Sequence, residues 1–487
     1  MKQLLIYVIL ILLGFTSCQK QNNEVIVKGK FLGEIPEKLL YSVPVNGICY
    51  EFFNSSTEVD SLGNFEFHVS TETPCFIILF LKGNRGHLIA EPGESYYITI
   101  ESKNSDNLLN FECKNIKLQE EYQKLDNPWH PQLGIASEIR NSSISDVENR
   151  IDSMLNTEME NLENLWKKKA LSKELFEIIK LDRMLYYSCV QGQLAMIRFY
   201  DVASKNPDAK TDSIKQMWRD ATSRVSLNSK DLLKSKWTYY YLQNYLMFKE
   251  YTAEYFSFDT RTKARDLGNI HTHLINISNK NLTGSILEFY NSAYILSMTR
   301  QEKYEKELIT LFEEFKYEFP ISNYTKFIEP QIEKVVDFHK NAGLEFDNDT
   351  KFLDNYQNLQ TLEECIKSFK GKKVYIDIWA TWCGYCKDEF TFNNELKNLL
   401  NSKNIEILYI STDRDNEDKR WKDMIKYYDL KGFHIRASKE LKSNLEVLFG
   451  SFGIPRYLLI DEEGKIIDNI AERPSELKEL EKQINEK

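Results

Sequence analysis

The chain has 487 residues, too many for one ordinary hydrophobic core, so two to three domains are expected. A hydrophobic fraction of 42% and an aromatic content of 13% exclude an intrinsically disordered chain. The net charge of −10 argues against a general nucleic-acid binder, which presents a basic surface. Lys and Glu alternate along the helical stretches and read as a solvated surface.

The N-terminus reads as an export address. Met1-Lys2 is a short basic region, and Leu4 to Leu13 is an apolar run too short for an ordinary transmembrane helix. It ends at Gly14-Phe15-Thr16-Ser17-Cys18, where small residues before a cysteine resemble a bacterial lipobox; Phe15 stands where that pattern usually has Leu. The resemblance implies that residues 1–17 are a lipoprotein signal peptide and that Cys18 carries the lipid, a membrane anchor. An ordinary secretory signal with a chance cysteine is the alternative, and both readings export the protein. Gln19 and Lys20 follow without an acidic cluster, which reads as a lipid-anchored, periplasm-facing protein of the cell envelope, with inner or outer membrane undecided.

Residues 24–114 have β texture. Val25–Phe31, Phe65–Val69, Cys75–Leu81 and Tyr96–Ile100 are strand-like and separated by turns such as Ser61-Leu62-Gly63-Asn64 and Glu91-Pro92-Gly93-Glu94. Short strands with regular turns predict a small β-sandwich. Residues 115–343 are predicted helical: Leu175, Ile178, Ile179, Asp182, Leu185 and Cys189 trace a mostly apolar face, and Leu308, Leu311, Phe312 and Phe315 repeat the spacing. The aromatic stretches Tyr239-Tyr240-Tyr241 and Tyr251 to Phe256 read as packing between helices, with a partner surface as the alternative.

The chemistry lies further on. Val374-Tyr375-Ile376-Asp377-Ile378 reads as a buried strand, followed by Trp379-Ala380-Thr381-Trp382-Cys383-Gly384-Tyr385-Cys386-Lys387 and an amphipathic stretch, Asp388 to Leu400, predicted as a helix. The two thiols therefore sit at a strand-to-helix turn, with Cys383 at or near the helix N-terminus. Orphan N–H groups and the helix dipole there favour a thiolate, the reactive form. Half of a zinc site has the same spacing, but no second Cys or His pair follows as a finger or ribbon would need. The histidines show no ligand spacing, so no metal is expected, and no cofactor beyond a redox-active Cys383–Cys386 disulfide.

These residues resemble the thioredoxin superfamily, and within it the TlpA/ResA-like branch. Gly453-Ile454-Pro455 before the strand Arg456 to Asp461 resembles that family's cis-proline loop, and a turn at Glu462-Glu463-Gly464 and a strand from Lys465 to Ile470 follow. The resemblance covers 345–487. The fold class expected is multidomain α+β: an N-terminal β-sandwich-like domain, a central all-helical region and a C-terminal thioredoxin-like α/β domain. It implies a thiol:disulfide oxidoreductase in which Cys383 attacks a substrate disulfide and Cys386 resolves the mixed disulfide. Asp377 matches the buried acid assigned to proton transfer at the second cysteine. Glu389 matches an acid linked to thiol acidity, with a solvated helix residue as the alternative. Trp379 and Trp382 are expected to wall the site, with packing alone as the alternative, and Pro455 to present Ile454 backbone groups to an extended substrate. Arg456 replaces the Thr common at its position; it is either a cation near the dithiol or a solvent-facing residue. Gly384-Tyr385 departs from the Gly-Pro of reducing thioredoxins, which leaves reductase and isomerase both open. The implied partners are protein thiols and disulfides of the cell envelope and an upstream electron donor, with no nucleic acid. A binding lipoprotein that uses the thioredoxin-like module as scaffold is the reading from another class.

Of the eight cysteines, Cys49, Cys75, Cys113, Cys189 and Cys365 remain, an odd number. Cys49 and Cys75 could pair; buried free thiols acting as small hydrophobes are the favoured reading.

Overall fold

The structure, a computed structural model, describes residues 23–101, 108–206, 209–229, 231–253, 258–302 and 304–486. The leader and Cys18 lie outside the described residues, as does part of the Tyr251–Phe256 stretch. The chain divides into two compact units. One runs to Gln301 and takes in Thr310–Glu329; the other comprises Glu302–Ile309 and Pro330–Lys487.

The first unit begins with β1 (Glu24–Leu32), β2 (Lys38–Ser42), β3 (Asn54–Glu58), β4 (Asn64–Ser70), β5 (Cys75–Leu81), β6 (Asn84–Ala90), β7 (Ser95–Glu101) and β8 (Leu109–Glu112). They form two four-stranded sheets, ordered β4-β1-β7-β8 and β3-β2-β5-β6. Alternation along β1 and β4 buries Val25, Val27, Phe65 and Phe67 in a core shared with Cys75, Ile77 and Leu79 of the other sheet, which makes a β-sandwich. The strands that the sequence pattern does not single out have a reason to be faint. β3 is the polar run Asn-Ser-Ser-Thr-Glu at a sheet edge, and β6 opens on Asn84-Arg85.

β5 is an unbroken apolar run because both of its faces are covered. Its outer residues Phe76, Ile78 and Phe80 pack with Ile89 against Leu118, Tyr122, Leu175 and Ile179 of the following helices. Among those helices are Ile116–Gln123, Ile144–Lys167 and Lys173–Ala203. Several charged and polar groups buried between them are paired. The Arg183 guanidinium reaches Glu158 at 2.7 Å, Tyr187 donates to Glu158 at 2.8 Å, and Asp182, the acid in the apolar face, accepts from Tyr122 and Ser235 at 2.7 Å each. Tyr239 and Tyr241 are buried, as packing requires.

The second unit holds β9 (Thr350–Phe352), β10 (Lys373–Trp379), β11 (Ile405–Ser411), β12 (Gly432–Arg436), β13 (Arg456–Ile460) and β14 (Ile466–Asp468) in one sheet ordered β14-β13-β10-β11-β12-β9. β9 to β12 pair in parallel, while β13 is antiparallel to both β10 and β14. The sheet and its helices share one core, in which Val374 to Ala380 are buried throughout. One predicted element changes. The expected helix from Asp388 to Leu400 is two helices, Gly384–Glu389 and Asn393–Ser402, separated by a 3-10 turn at Phe390–Phe392. The Thr391 hydroxyl donates back to the Asp388 carbonyl at 2.7 Å, a local bond that competes with a continuous helical ladder.

The two-sided burial of β5 gives a test. Phe76→Ala should destabilise the first unit by about 3–5 kcal/mol, as a fully buried Phe does, whereas truncating the partly exposed Tyr97 should cost well under half of that. Urea unfolding of both variants checks it; equal losses would contradict the packing described.

Candidate active site

At the end of β10 the chain leaves the sheet through Ala380–Thr381–Trp382 and starts a helix at Cys383. This turn is clamped from the neighbouring strand. Asp413, fully buried, accepts from the Thr381 amide at 2.9 Å and from the Thr381 hydroxyl at 2.8 Å, and Ser411 donates to it at 2.8 Å. Lys442 donates to the Asp413 carbonyl at 2.7 Å.

Cys383 is the N-cap of helix Gly384–Glu389, with an extended backbone (φ −84°, ψ 107°), and its sulfur accepts from the Cys386 amide at 3.1 Å. Cys383 and Cys386 form a disulfide. Cys383 retains 5% exposure while Cys386 has none. The sulfur that an incoming disulfide can reach is therefore also the one facing the orphan N–H groups of the helix terminus. Trp382 and Tyr385 flank it at 67% and 78% exposure.

Pairing of Arg456 with Ile378 across β13 and β10 puts the Ile454–Pro455 bond, which is cis, at the same sheet end as the dithiol. Below the dithiol, Asp377 is fully buried, and neither carboxylate oxygen has a hydrogen-bond partner among the described residues. Burial raises its pKa well above the ordinary carboxyl range, and the nearby Glu389 carboxylate raises it further. Register places Tyr409 and Tyr457 opposite it on the two adjacent strands; burial first, and Asp377 next, push both phenols up. Glu389 is buried, accepting from the Ser475 amide at 2.8 Å and the Ser475 hydroxyl at 3.0 Å, with Arg473 at 3.7 Å.

The family description Redoxin matches residues 342–484. The thiol-disulfide oxidoreductase ResA of Bacillus thuringiensis subsp. konkukian is 37% identical over 105 residues, 22% of this chain and 58% of the relative, and ResA of Bacillus cereus gives the same figures. The chain thus spans a little over half the length of these curated relatives. Among solved structures, the thioredoxin domain of a thiol-disulfide oxidoreductase from Bacteroides vulgatus is 28% identical, with 25% of this chain and 81% of that one covered and a TM-score of 0.21. The chain carries a TlpA/ResA-like thioredoxin-family domain.

The thioredoxin-like domain gathers most of the residues singled out in the sequence. Cys383, Cys386, Asp377 and the Ile454–Pro455 loop meet at one end of β10. Glu389 is not a solvated helix residue. One expectation is corrected. Trp379 does not wall the site; it is fully buried and packs edge-on against Phe390 at 5.1 Å, which leaves Trp382 as the exposed tryptophan. Arg456 is half-buried at the start of β13. Its guanidinium lies 4.6 Å over the Phe449 ring and 5.7 Å from that of Phe452. Sequence reasoning missed the Thr381–Asp413 clamp. Its signal is faint: an Asp two residues beyond Ser411 at the end of a strand.

The remaining cysteines are free. Burial pushes the thiols of Cys49, Cys75 and Cys365 up to about 12, and raises those of Cys189 and Cys113. Their thiolate fraction near neutrality is therefore negligible beside that of a helix-capping thiol.

A buried unpaired carboxyl has a signature in stability. The folded state keeps the Asp377 proton after the unfolded chain has released it. Stability therefore falls as pH rises through the ordinary Asp range and on towards the raised value, by up to about 1.4 kcal/mol per pH unit. Asp377→Asn should remove this slope and be more stable than the parent at pH 7. Unfolding of the domain at pH 5, 6 and 7 checks it, and parallel curves for parent and variant would contradict the burial argument.

Proposed function

We propose that this protein is a thiol:disulfide oxidoreductase of reductase or exchange type, acting on protein disulfides in a bacterial cell envelope. The observation that carries the reading is the asymmetry of the pair: Cys383 slightly exposed and capping a helix, Cys386 fully enclosed, with a buried acid two positions before Trp379 ends the strand. The names of the ResA relatives support it.

In the reduced state the Cys383 thiolate attacks one sulfur of a substrate disulfide. A Cys383–substrate disulfide forms, and the substrate's other sulfur leaves as a thiolate and takes up a proton. Cys386 then loses its proton and attacks Cys383. The substrate leaves with both sulfurs reduced, and the protein is left with the Cys383–Cys386 disulfide. The chain gives up two electrons in each cycle, so an upstream dithiol must return them. Asp377 is assigned as the acceptor of the Cys386 proton, since burial raises its pKa above the ordinary carboxyl range and so makes it a stronger base than an exposed carboxylate. Glu389 is assigned to the acidity of the pair. The exposed Trp382 and the Ile454–Pro455 backbone are assigned to an extended substrate segment, added alongside the sheet. No cofactor beyond the dithiol and no metal enters this reading.

With a dithiol supplied, the full chain should reduce insulin disulfides; Cys383→Ser should abolish turnover, and Cys386→Ala should accumulate a mixed disulfide. Asp377→Ala should slow release of that mixed disulfide by about tenfold or more while the first attack changes little. Retained turnover in Cys383→Ser, seen by insulin precipitation, would overturn the reading.

The anchor belongs to the same proposal. Lipidation at Cys18 after removal of residues 1–17 would hold the protein periplasm-facing at a membrane. Cys18→Ala should leave the membrane fraction or accumulate as precursor. A mature N-terminus elsewhere, by mass spectrometry, would contradict it.

A further inference from the structure

The segment Glu302–Ile309 lies in sequence among the helices of the first unit, yet it belongs to the second. It begins on the active-site helix. Lys387, directly after Cys386, is 95% enclosed, and its ammonium lies 2.7 Å from the Glu302 carboxylate. Glu302 and Tyr304 both take left-handed backbone (φ 51° and 54°), a region costly for residues other than glycine, so the surrounding contacts must fix this turn. Those contacts are specific. Tyr304 stacks on Phe338 at 4.5 Å and shares a 3.1 Å hydrogen bond with the Tyr428 hydroxyl, and the His339 ring donates to its carbonyl at 2.8 Å. Tyr428 in turn packs on Phe390, the residue that ends the active-site helix. The family match begins at residue 342, so none of 302–309 is part of it.

We propose that Glu302 is a positioning residue for the dithiol, pairing with Lys387 so that the enclosed ammonium on the active-site helix is both fixed in place and neutralised. The inference rests on Cys383–Cys386 being the working pair. An enclosed charge is weakly screened, so Lys387 without its partner would favour thiolate at the helix start, and Glu302 without Lys387 would disfavour it. Other titratable groups about this helix are Asp388, raised by burial and then by Glu302, together with Asp377, Glu389, Tyr427 and Tyr428. These residues are retained in the substitutions below, and Glu302→Gln also removes the Glu302 charge that, after burial, raises Asp388, Tyr427 and Tyr428. The thiol acidity of this domain is thereby set in part from the middle of the chain, outside the segment that its relatives match.

The test is a charge cycle on the reduced full chain, with Cys383 thiolate followed by ultraviolet absorbance against pH and Cys383→Ser as the blank. Glu302→Gln should lower the Cys383 pKa by about half a pH unit or more, roughly a threefold change in thiolate ratio. Lys387→Met should raise it by a similar amount, and the double variant, neutral at both positions, should return close to the parent. A Glu302→Gln titration identical to the parent, even with a lowered melting temperature, would overturn the proposal, because a structural role alone moves only the latter. Single variants shifting in the same direction would also overturn it. Failure of the dithiol reading itself looks different: the parent then has no thiol titrating below the ordinary cysteine range.

Discussion

Strand β10 is enclosed on both faces, and at its end the backbone must leave the sheet and open a helix through Ala380–Cys383. The disposition of the dithiol depends on that exit. Because Thr381 is held by the buried Asp413 carboxylate, the turn is anchored to the next strand and cannot drift. The helix then starts with Cys383 as its cap and Cys386 one turn in, facing the core. Two chemically identical side chains three residues apart thus acquire different environments. One cysteine keeps 5% exposure and faces orphan N–H groups; the other has packed side chains and, in the preceding strand, a buried carboxyl.

Enclosure also governs the acids around the site. Asp377 lies among Tyr375, Tyr409 and Tyr457 without a donor to its oxygens, whereas Glu389 is given the Ser475 amide and hydroxyl. An unpaired acid costs stability when ionised, and a paired one is held as an acceptor. The same domain therefore contains one carboxyl suited to taking a proton and one suited to fixing the loop at Ser475. That division rests on hydrogen bonding, since both groups are buried.

Much of this was legible in the sequence because it is local. Val374–Ile378 is apolar enough to be a buried strand, so Asp377 within it had to be an enclosed acid. Cys-Gly-Tyr-Cys between strand and helix fixed which thiol would cap. β5 likewise declared itself by its unbroken apolar run, although the run alone does not say that helices cover its second face. What the sequence concealed depends on contacts between distant positions. Asp413 lies 32 residues beyond Thr381, and Glu302 meets Lys387 from a segment that reads as the middle of a helical region. Trp379 was misplaced for a related reason. An aromatic beside a motif looks functional until Phe390 is seen to pack against it. The 3-10 turn at Phe390–Phe392, where Thr391 bonds back to the Asp388 carbonyl, is a local change that apolar periodicity does not register.

The central claim is that position alone makes Cys383 the attacking thiol. It is tested most directly by treating the reduced full chain with a limiting amount of iodoacetamide at neutral pH and locating the label by peptide mass spectrometry. The account predicts label on Cys383 first, with Cys386 and the enclosed Cys49, Cys75, Cys189 and Cys365 spared. Label appearing first on Cys386 or on any of those four, or no cysteine reacting faster than a free thiol, would contradict it.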